Sequence, residues 1–162
     1  GLAKQLKCSA NEAKDFISAY FYRFPRIRDY MEEIKSNLDT DGYVETLFNR
    51  RIYIYDSNSK NQKLRGFAER QAINAPIQGT AADIIKFAMI KIHRKVLNKK
   101  EISMLMQVHD ELVFEIMDDK IEEFSNIILP IMETANLPMV PLKVNLKVDL
   151  GMGNNWAEAH GL

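Results

Sequence analysis

Residues 104 to 116 alternate. Met104, Met106 and Val108 lead in, Leu112, Phe114 and Ile116 lead out, and three polar side chains, His109, Asp110 and Glu111, stand between them. Two period-two runs joined by so short a polar break predict a β-hairpin with one half-buried face. The fold must therefore hold antiparallel strands and something to cover them. A tight hairpin turn needs positive φ and normally carries Gly or Asn. This turn carries a histidine and two acids.

The remaining elements follow from local signals. In "SANEAKDFISAYFYRF", Ser9 and Glu12 form a capping-box pattern, with Phe16, Ala19, Tyr20 and Phe24 at helical spacing after it. Pro25 opens a second helix of about three turns, with Tyr30 and Ile34 facing inward. "DGYVETLFNRRIYIY" predicts a hairpin that turns at Asn49, with Val44 and Leu47 before the turn and Ile52 and Ile54 after it. The polar run "DSNSKNQK", residues 56 to 63, is the expected joint between two parts, 1–65 and 66–162. After it come two helical segments meeting near Pro76. An amphipathic helix around 119 to 136 and a proline-bounded strand, "LKVNLKVDL", complete the pattern. Helices, a strand pair, a helix and a strand predict an α+β fold, an antiparallel sheet backed by helices. Nothing resembles a doubly wound nucleotide fold, because Gly79-Thr80 lacks the lysine and spacing of a phosphate cradle.

Composition bounds the chemistry. The 162 residues contain one cysteine, Cys8, and three histidines, too few for an internal disulfide or a structural zinc site. A reducing compartment is expected. No apolar run approaches the ~18 residues that a bilayer requires, so no membrane partner is expected. The net charge is zero, yet residues 50 to 100 hold 12 basic and 3 acidic side chains, and residues 101 to 162 hold 3 and 11. A middle block at +9 can form an electrostatic footprint for phosphates that the neutral total conceals.

The acidic turn narrows this further. Adjacent carboxylates on a hairpin point to opposite faces, so they do not form a glycosidase-type acid and base pair by themselves. Asp110 can instead reach a hard cation such as Mg2+, which binds few protein carboxylates and completes its shell with waters and substrate phosphates. Two-metal phosphoryl chemistry draws its acids from different segments. One carboxylate is half a site.

Three stretches, "GYVETLFNRRIY" at 42 to 53, "AERQAINAPIQGTAADIIKFAMI" at 68 to 90 and "QVHDELVFEI" at 107 to 116, resemble successive signatures of family A DNA polymerases, the bacterial DNA polymerase I type. The opening "GLAKQL" and the tail "GMGNNWAEAH" are similar to that family too, so the resemblance covers nearly the whole chain. It implies parts of a right-hand polymerase: fingers over 1–65, with helices and a β-hairpin, and the carboxyl-terminal palm over 66–162.

Residue by residue, the resemblance implies that Asp110 binds the catalytic Mg2+ ions, with Glu111 as the adjacent acid in the same site. His109 corresponds to the histidine near the primer's terminal nucleotide. Arg70, Asn74 and Gln78, four apart and so on one helical face, correspond to contacts from the minor-groove side of the primer-template duplex. Donors there can test pair geometry without reading sequence, because N3 and O2 acceptors are common to correct pairs. Asn74 can also cap a helix starting at Pro76. Gln107 either positions Asp110 or the template, or serves across the strands. Asn49 stands where the family generally has Gly, but it tolerates the same left-handed backbone. Arg50 and Arg51 can then lie near template phosphates.

The resemblance implies deoxynucleoside triphosphates and primer-template DNA as partners, and extension of a primer 3′-hydroxyl in DNA replication or repair. It also implies dependence on an upstream polymerase portion carrying the second metal-binding Asp and the triphosphate grip. The expected location is the cytoplasm, at the nucleoid, or a DNA-containing organelle, without secretion. The alternative is a non-catalytic DNA-binding module derived from the polymerase fold.

Overall fold

Ser9 starts the first long helix as its neighbours require. Its side chain accepts the Glu12 N–H at 3.2 Å while the Glu12 carboxylate accepts the Ser9 N–H at 2.8 Å. Two of the four donors left open at a helix start are thus satisfied reciprocally. This computed structural model describes residues 2–161 and divides into two compact units, Gly1–Ile77 and Gln78–Leu162. Among the described residues no helix is long and apolar enough to cross a membrane.

In the first unit, α1 (Leu2–Leu6) and α2 (Ala10–Arg23) precede α3 (Pro25–Asp41). The helix α3 is longer than expected, at 17 residues. It stops because Gly42 adopts φ 72 and donates its N–H to the Leu38 carbonyl at 2.9 Å, a left-handed cap that glycine makes without steric cost. Gly42 therefore ends a helix as well as leading into the hairpin. Strands β1 (Tyr43–Glu45) and β2 (Arg51–Tyr53) pair antiparallel, with Val44 opposite Ile52. Asn49 takes φ 60, as its tolerance of that backbone predicts. Leu47 does not flank the turn in a strand; it lies in the loop, exposed. Thr46, almost fully buried, organises that loop by accepting the N–H groups of Phe48 and Arg50, each at 3.3 Å. Leu38, Val44, Ile54, Ala68 and Ala72 form the core of this unit.

The expected break at Pro76 does not occur. One 35-residue helix, α4 (Gln62–Val96), runs through it. An interior proline removes a hydrogen bond and crowds the carbonyl four residues back, at a cost of about 3 kcal/mol. The Tyr30 hydroxyl donates to the Ile73 carbonyl at 2.9 Å, so a backbone acceptor beside the proline gains a side-chain partner. Burial of Ala68 and Ala72 below Pro76 and of Ala88, Ile92 and Val96 above it holds both halves helical. The two compact units meet at Ile77, within α4, and the first half of that helix packs with α3 and β1 through Ala68 and Ala72.

In the second unit, β3 (Ile102–Val108) pairs antiparallel with β4 (Glu111–Ile116). A 3-10 turn at Asp118–Lys120 leads into α5 (Ile121–Glu133), and α6 (Trp156–Ala159) closes the described chain. Phe124 and Ile128 of α5, with Ala88, Ile92, Val96 and Ile102, make the core against which Met104, Leu112, Phe114 and Ile116 pack. On the second half of α4, Ile84, itself partly buried, packs against this core, and Ile85, Phe87 and Met89 are partly buried as well. The α+β class holds, as helices with small antiparallel sheets. The expected strand at 142–150 is a correction: these residues form no ladder, and Val144 is 77 % exposed. Alternation makes a strand only where a neighbouring backbone completes its hydrogen bonds.

Candidate active site

The hairpin turn is as tight as a two-residue loop allows. Val108 opposes Glu111, leaving His109 and Asp110 to reverse the chain. Only His109 of the two has positive φ, at 53. Positive φ at the first central position alone is the pattern of a turn that normally takes glycine there. A residue with a Cβ stores strain of order 1–3 kcal/mol in such a conformation. Both His109 and Asp110 are exposed, and so is Gln107, whose side-chain amide donates to the His109 carbonyl. Gln107 thus braces the turn from the strand leading into it.

A bulge decides which way these side chains face. Met104 pairs with Phe114 and Met106 with Val113, so Leu105 is an extra residue in β3. Such insertions break the alternation locally. Because residues directly opposite share a face, Met104 lies with Phe114, but Met106 and Val108 lie with Val113 and Glu111. The expectation of one face carrying Met104, Met106 and Val108 is therefore corrected. Met106 is 44 % exposed, and Gln107 takes its place on the face of Leu112 and Phe114.

Glu111 has a partner that the motifs did not indicate. The His160 Nε2 lies 2.9 Å from the Glu111 Oε1, and the His160 Nδ1 lies 2.8 Å from the Trp156 carbonyl oxygen. Both partners are pure acceptors, so the ring must donate from both nitrogens and is an imidazolium when both bonds form. The Trp156 carbonyl first, and the Glu111 carboxylate second, hold this imidazole above its ordinary pKa. A usable signal was present: Asn155 and Glu158 have the spacing of a helix start, and Asn155 Oδ1 accepts the Glu158 N–H at 3.0 Å. That helix puts His160 one turn after Trp156.

The other predicted positions separate by environment. Arg70 and Asn74, in the first half of α4, are exposed; so is Gln78, in the second unit. Asn74 does not cap a helix, because α4 is continuous there. Arg51 is engaged within its own hairpin, with Nε 3.1 Å from the Glu45 Oε1 and its guanidinium 4.6 Å from the Tyr43 ring centroid. Arg50 is exposed and its N–H serves the Thr46 loop.

Asp110 is an exposed hard-oxygen donor of the kind Mg2+ takes. Among the described residues no three His, Cys, Asp or Glu side chains are grouped to hold a metal ion. Geometrically the hairpin presents one exposed carboxylate, Asp110, without a partner among the described residues, beside a second, Glu111, that is paired with His160.

Residues 1–158 match the model of "DNA polymerase family A". The chain is 48% identical over 163 aligned residues to the DNA polymerase I of Rhizobium leguminosarum, covering 99% of this chain and 16% of that protein. It is 46% identical to the DNA polymerase I of Streptococcus pneumoniae serotype 4 and 43% identical to the thermostable enzyme of Thermus filiformis, covering 98% of this chain and 18% of the relative each time. The polymerase domain of Pol1 from M. smegmatis, solved with DNA primer-template and dNTP, superposes with a TM-score of 0.90 at 42% identity, over 99% of this chain and 28% of that one. The chain thus spans under a fifth of the length of these curated relatives.

Proposed function

The chain belongs to DNA polymerase family A, and on that premise we propose that it carries the hairpin-bearing part of a DNA-directed DNA polymerase. The reaction is template-directed: a primer 3′-hydroxyl attacks the α-phosphate of a deoxynucleoside triphosphate, and pyrophosphate leaves. The observation that carries this reading is Asp110, solvent-exposed on a two-residue turn that Gln107 and the β3–β4 ladder hold in place.

In this reading Asp110 is a ligand of the catalytic Mg2+ ions, with Glu111 beside it in a lesser role. Bound Mg2+ supplies charge stabilisation to the attacking and leaving oxygens. His109, exposed on the turn, meets the primer terminus. Arg70, Asn74 and Gln78 meet the minor-groove edges of the duplex, and Arg50 and Arg51 lie near template phosphates. For Arg51 that requires exchange of its Glu45 contact for a phosphate, an anion that a guanidinium binds in the same forked geometry. Residues 1–65 are then part of the fingers and 66–162 part of the palm. The partners are primer-template DNA, deoxynucleoside triphosphates and the rest of a polymerase, which supplies further carboxylates and the triphosphate site. The place of action is the nucleoid or a DNA-containing organelle.

Mixing the chain with an amino-terminal polymerase fragment and measuring primer extension tests this. Extension is expected with the wild type, at least about a hundredfold above Asp110→Ala, as expected for loss of a group that stabilises developing charge. Equal rates for the two would remove the metal role. Duplex binding without any extension would instead identify a non-catalytic DNA-binding module.

A further inference from the structure

The tail "GMGNNWAEAH" is built as a hook. Asn155 caps α6, and Glu158 reaches back to the Asn154 N–H at 2.9 Å and to the Asn155 side-chain amide at 2.7 Å. The extended residues before the helix return against its last turn. A Cβ on Gly153 would stand 2.6 Å from the Glu158 Cβ and 2.7 Å from the Ala159 nitrogen, and one on Gly151 would collide with the Ala159 carbonyl. Backbone meets backbone there, which only glycine permits. The Trp156 ring packs edge-on to His160, with centroids 5.1 Å apart, and the Trp156 carbonyl holds the other side of the imidazole. The free ring nitrogen is thereby aimed at one target, the Glu111 carboxylate in the hairpin.

We propose that residues 151–160 form a clasp whose His160 is a positioning residue for Glu111, fixing the start of β4 and with it the turn that presents Asp110. Glu111 is the first residue of β4 and the cross-strand partner of Val108, so restraining its side chain restrains the base of the two-residue loop. Glu111 is thereby held at the base of the turn while Asp110 stays exposed at its tip. The clasp rests on the polymerase reading only for its catalytic consequence; its structural claim stands on the hairpin alone.

Amide hydrogen exchange in the full chain, at one fixed neutral pH, reads the structural claim. His160→Ala is expected to speed exchange at residues 108–112 about two- to fivefold, the range for loss of a partly exposed ion pair, with α3 unchanged. Glu111→Ala should match it, and the double variant should add nothing further, since both changes remove the same contact. Gly151→Ala, which keeps the imidazole but displaces the last turn of α6 that carries it, should loosen the same amides. His160→Gln, which keeps a donor where the Nε2 was, should restore protection. Unchanged exchange in His160→Ala, or effects that multiply in the double variant, would overturn the clasp.

The complemented extension assay reads the consequence. His160→Ala should lower kcat with the KM for nucleotide unchanged, and His160→Gln should recover most of the loss. Wild-type kcat in His160→Ala would overturn the positioning role. If the wild type itself fails to extend, the polymerase reading falls, while the exchange result still decides whether the clasp exists.

Discussion

His109 occupies a backbone conformation that its side chain disfavours, at the turn next to Asp110. Strain of that kind persists only when the surrounding structure enforces it, and here the enforcing groups are the Val108–Glu111 pair and the Gln107 amide. His109→Gly should therefore raise the stability of the chain by up to about 1 kcal/mol, less than the strain released because glycine loses more entropy on folding. A denaturant titration reads this as a higher midpoint with unchanged slope. On the polymerase reading the same variant binds primer ends more weakly, so stability and duplex affinity should move in opposite directions. Both falling together would mean that the histidine is simply packed.

Among the elements, α4 and α2 show two ways of supporting a helix. Where α4 passes Pro76, the Tyr30 hydroxyl serves the Ile73 carbonyl, and burial of Tyr30 raises its pKa. Tyr30→Phe removes one part-buried hydrogen bond and leaves that acceptor to water, so a loss of about 1 kcal/mol is expected by urea unfolding. No change would place the support of the proline turn elsewhere. At the start of α2, the Ser9 backbone N–H, and then the Ser9 hydroxyl, hold the Glu12 carboxyl below its ordinary pKa. A lowered folded-state value means that this contribution is complete above the ordinary carboxylate range and disappears as pH falls through the lowered value. Glu12→Gln keeps the capping geometry without the charge. Wild type should be the more stable of the two at neutral pH, and the difference should vanish in acid when followed by circular dichroism.

Considered whole, the chain has a net charge of zero with a strongly basic middle, and the second property governs any nucleic-acid contact. Lys86, Arg94, Lys99 and Lys100 are exposed, as are Arg65 and Arg70. Neutralising each duplex phosphate contributes close to one unit of log-log salt slope. Binding of a primer-template duplex should therefore weaken with a slope of roughly −3 or steeper between about 50 and 200 mM salt. Fluorescence anisotropy at several salt concentrations would settle it, and a flat response would remove the duplex from the partners. Large apolar side chains such as Phe16, Tyr20 and Phe24 also remain about half exposed on α2 and at its end, so a regular helical pattern did not ensure burial within this chain.

What could be read from the residues was what neighbours in sequence decide. The capping box at Ser9, the left-handed Asn49, the hairpin centred on Asp110, and the α+β class all depend on spacings of a few residues, where backbone geometry and side-chain reach leave few alternatives. Family membership was legible for a related reason, since three motifs in order preserve just such spacings. The tertiary structure alone decided the rest. Pro76 sits inside a helix because cores on both sides of it outweigh its cost. Leu105 bulges, so Gln107 and Met106 exchange faces, an outcome that alternation cannot encode. Residues 142–150 alternate without a ladder, since no strand pairs with them among the described residues. His160 reaches Glu111 across 49 positions of sequence, and no local rule brings an imidazole at one end of a chain to a carboxylate in its hairpin. Short-range preferences choose the elements; burial and long-range pairing choose which side chains those elements bring together.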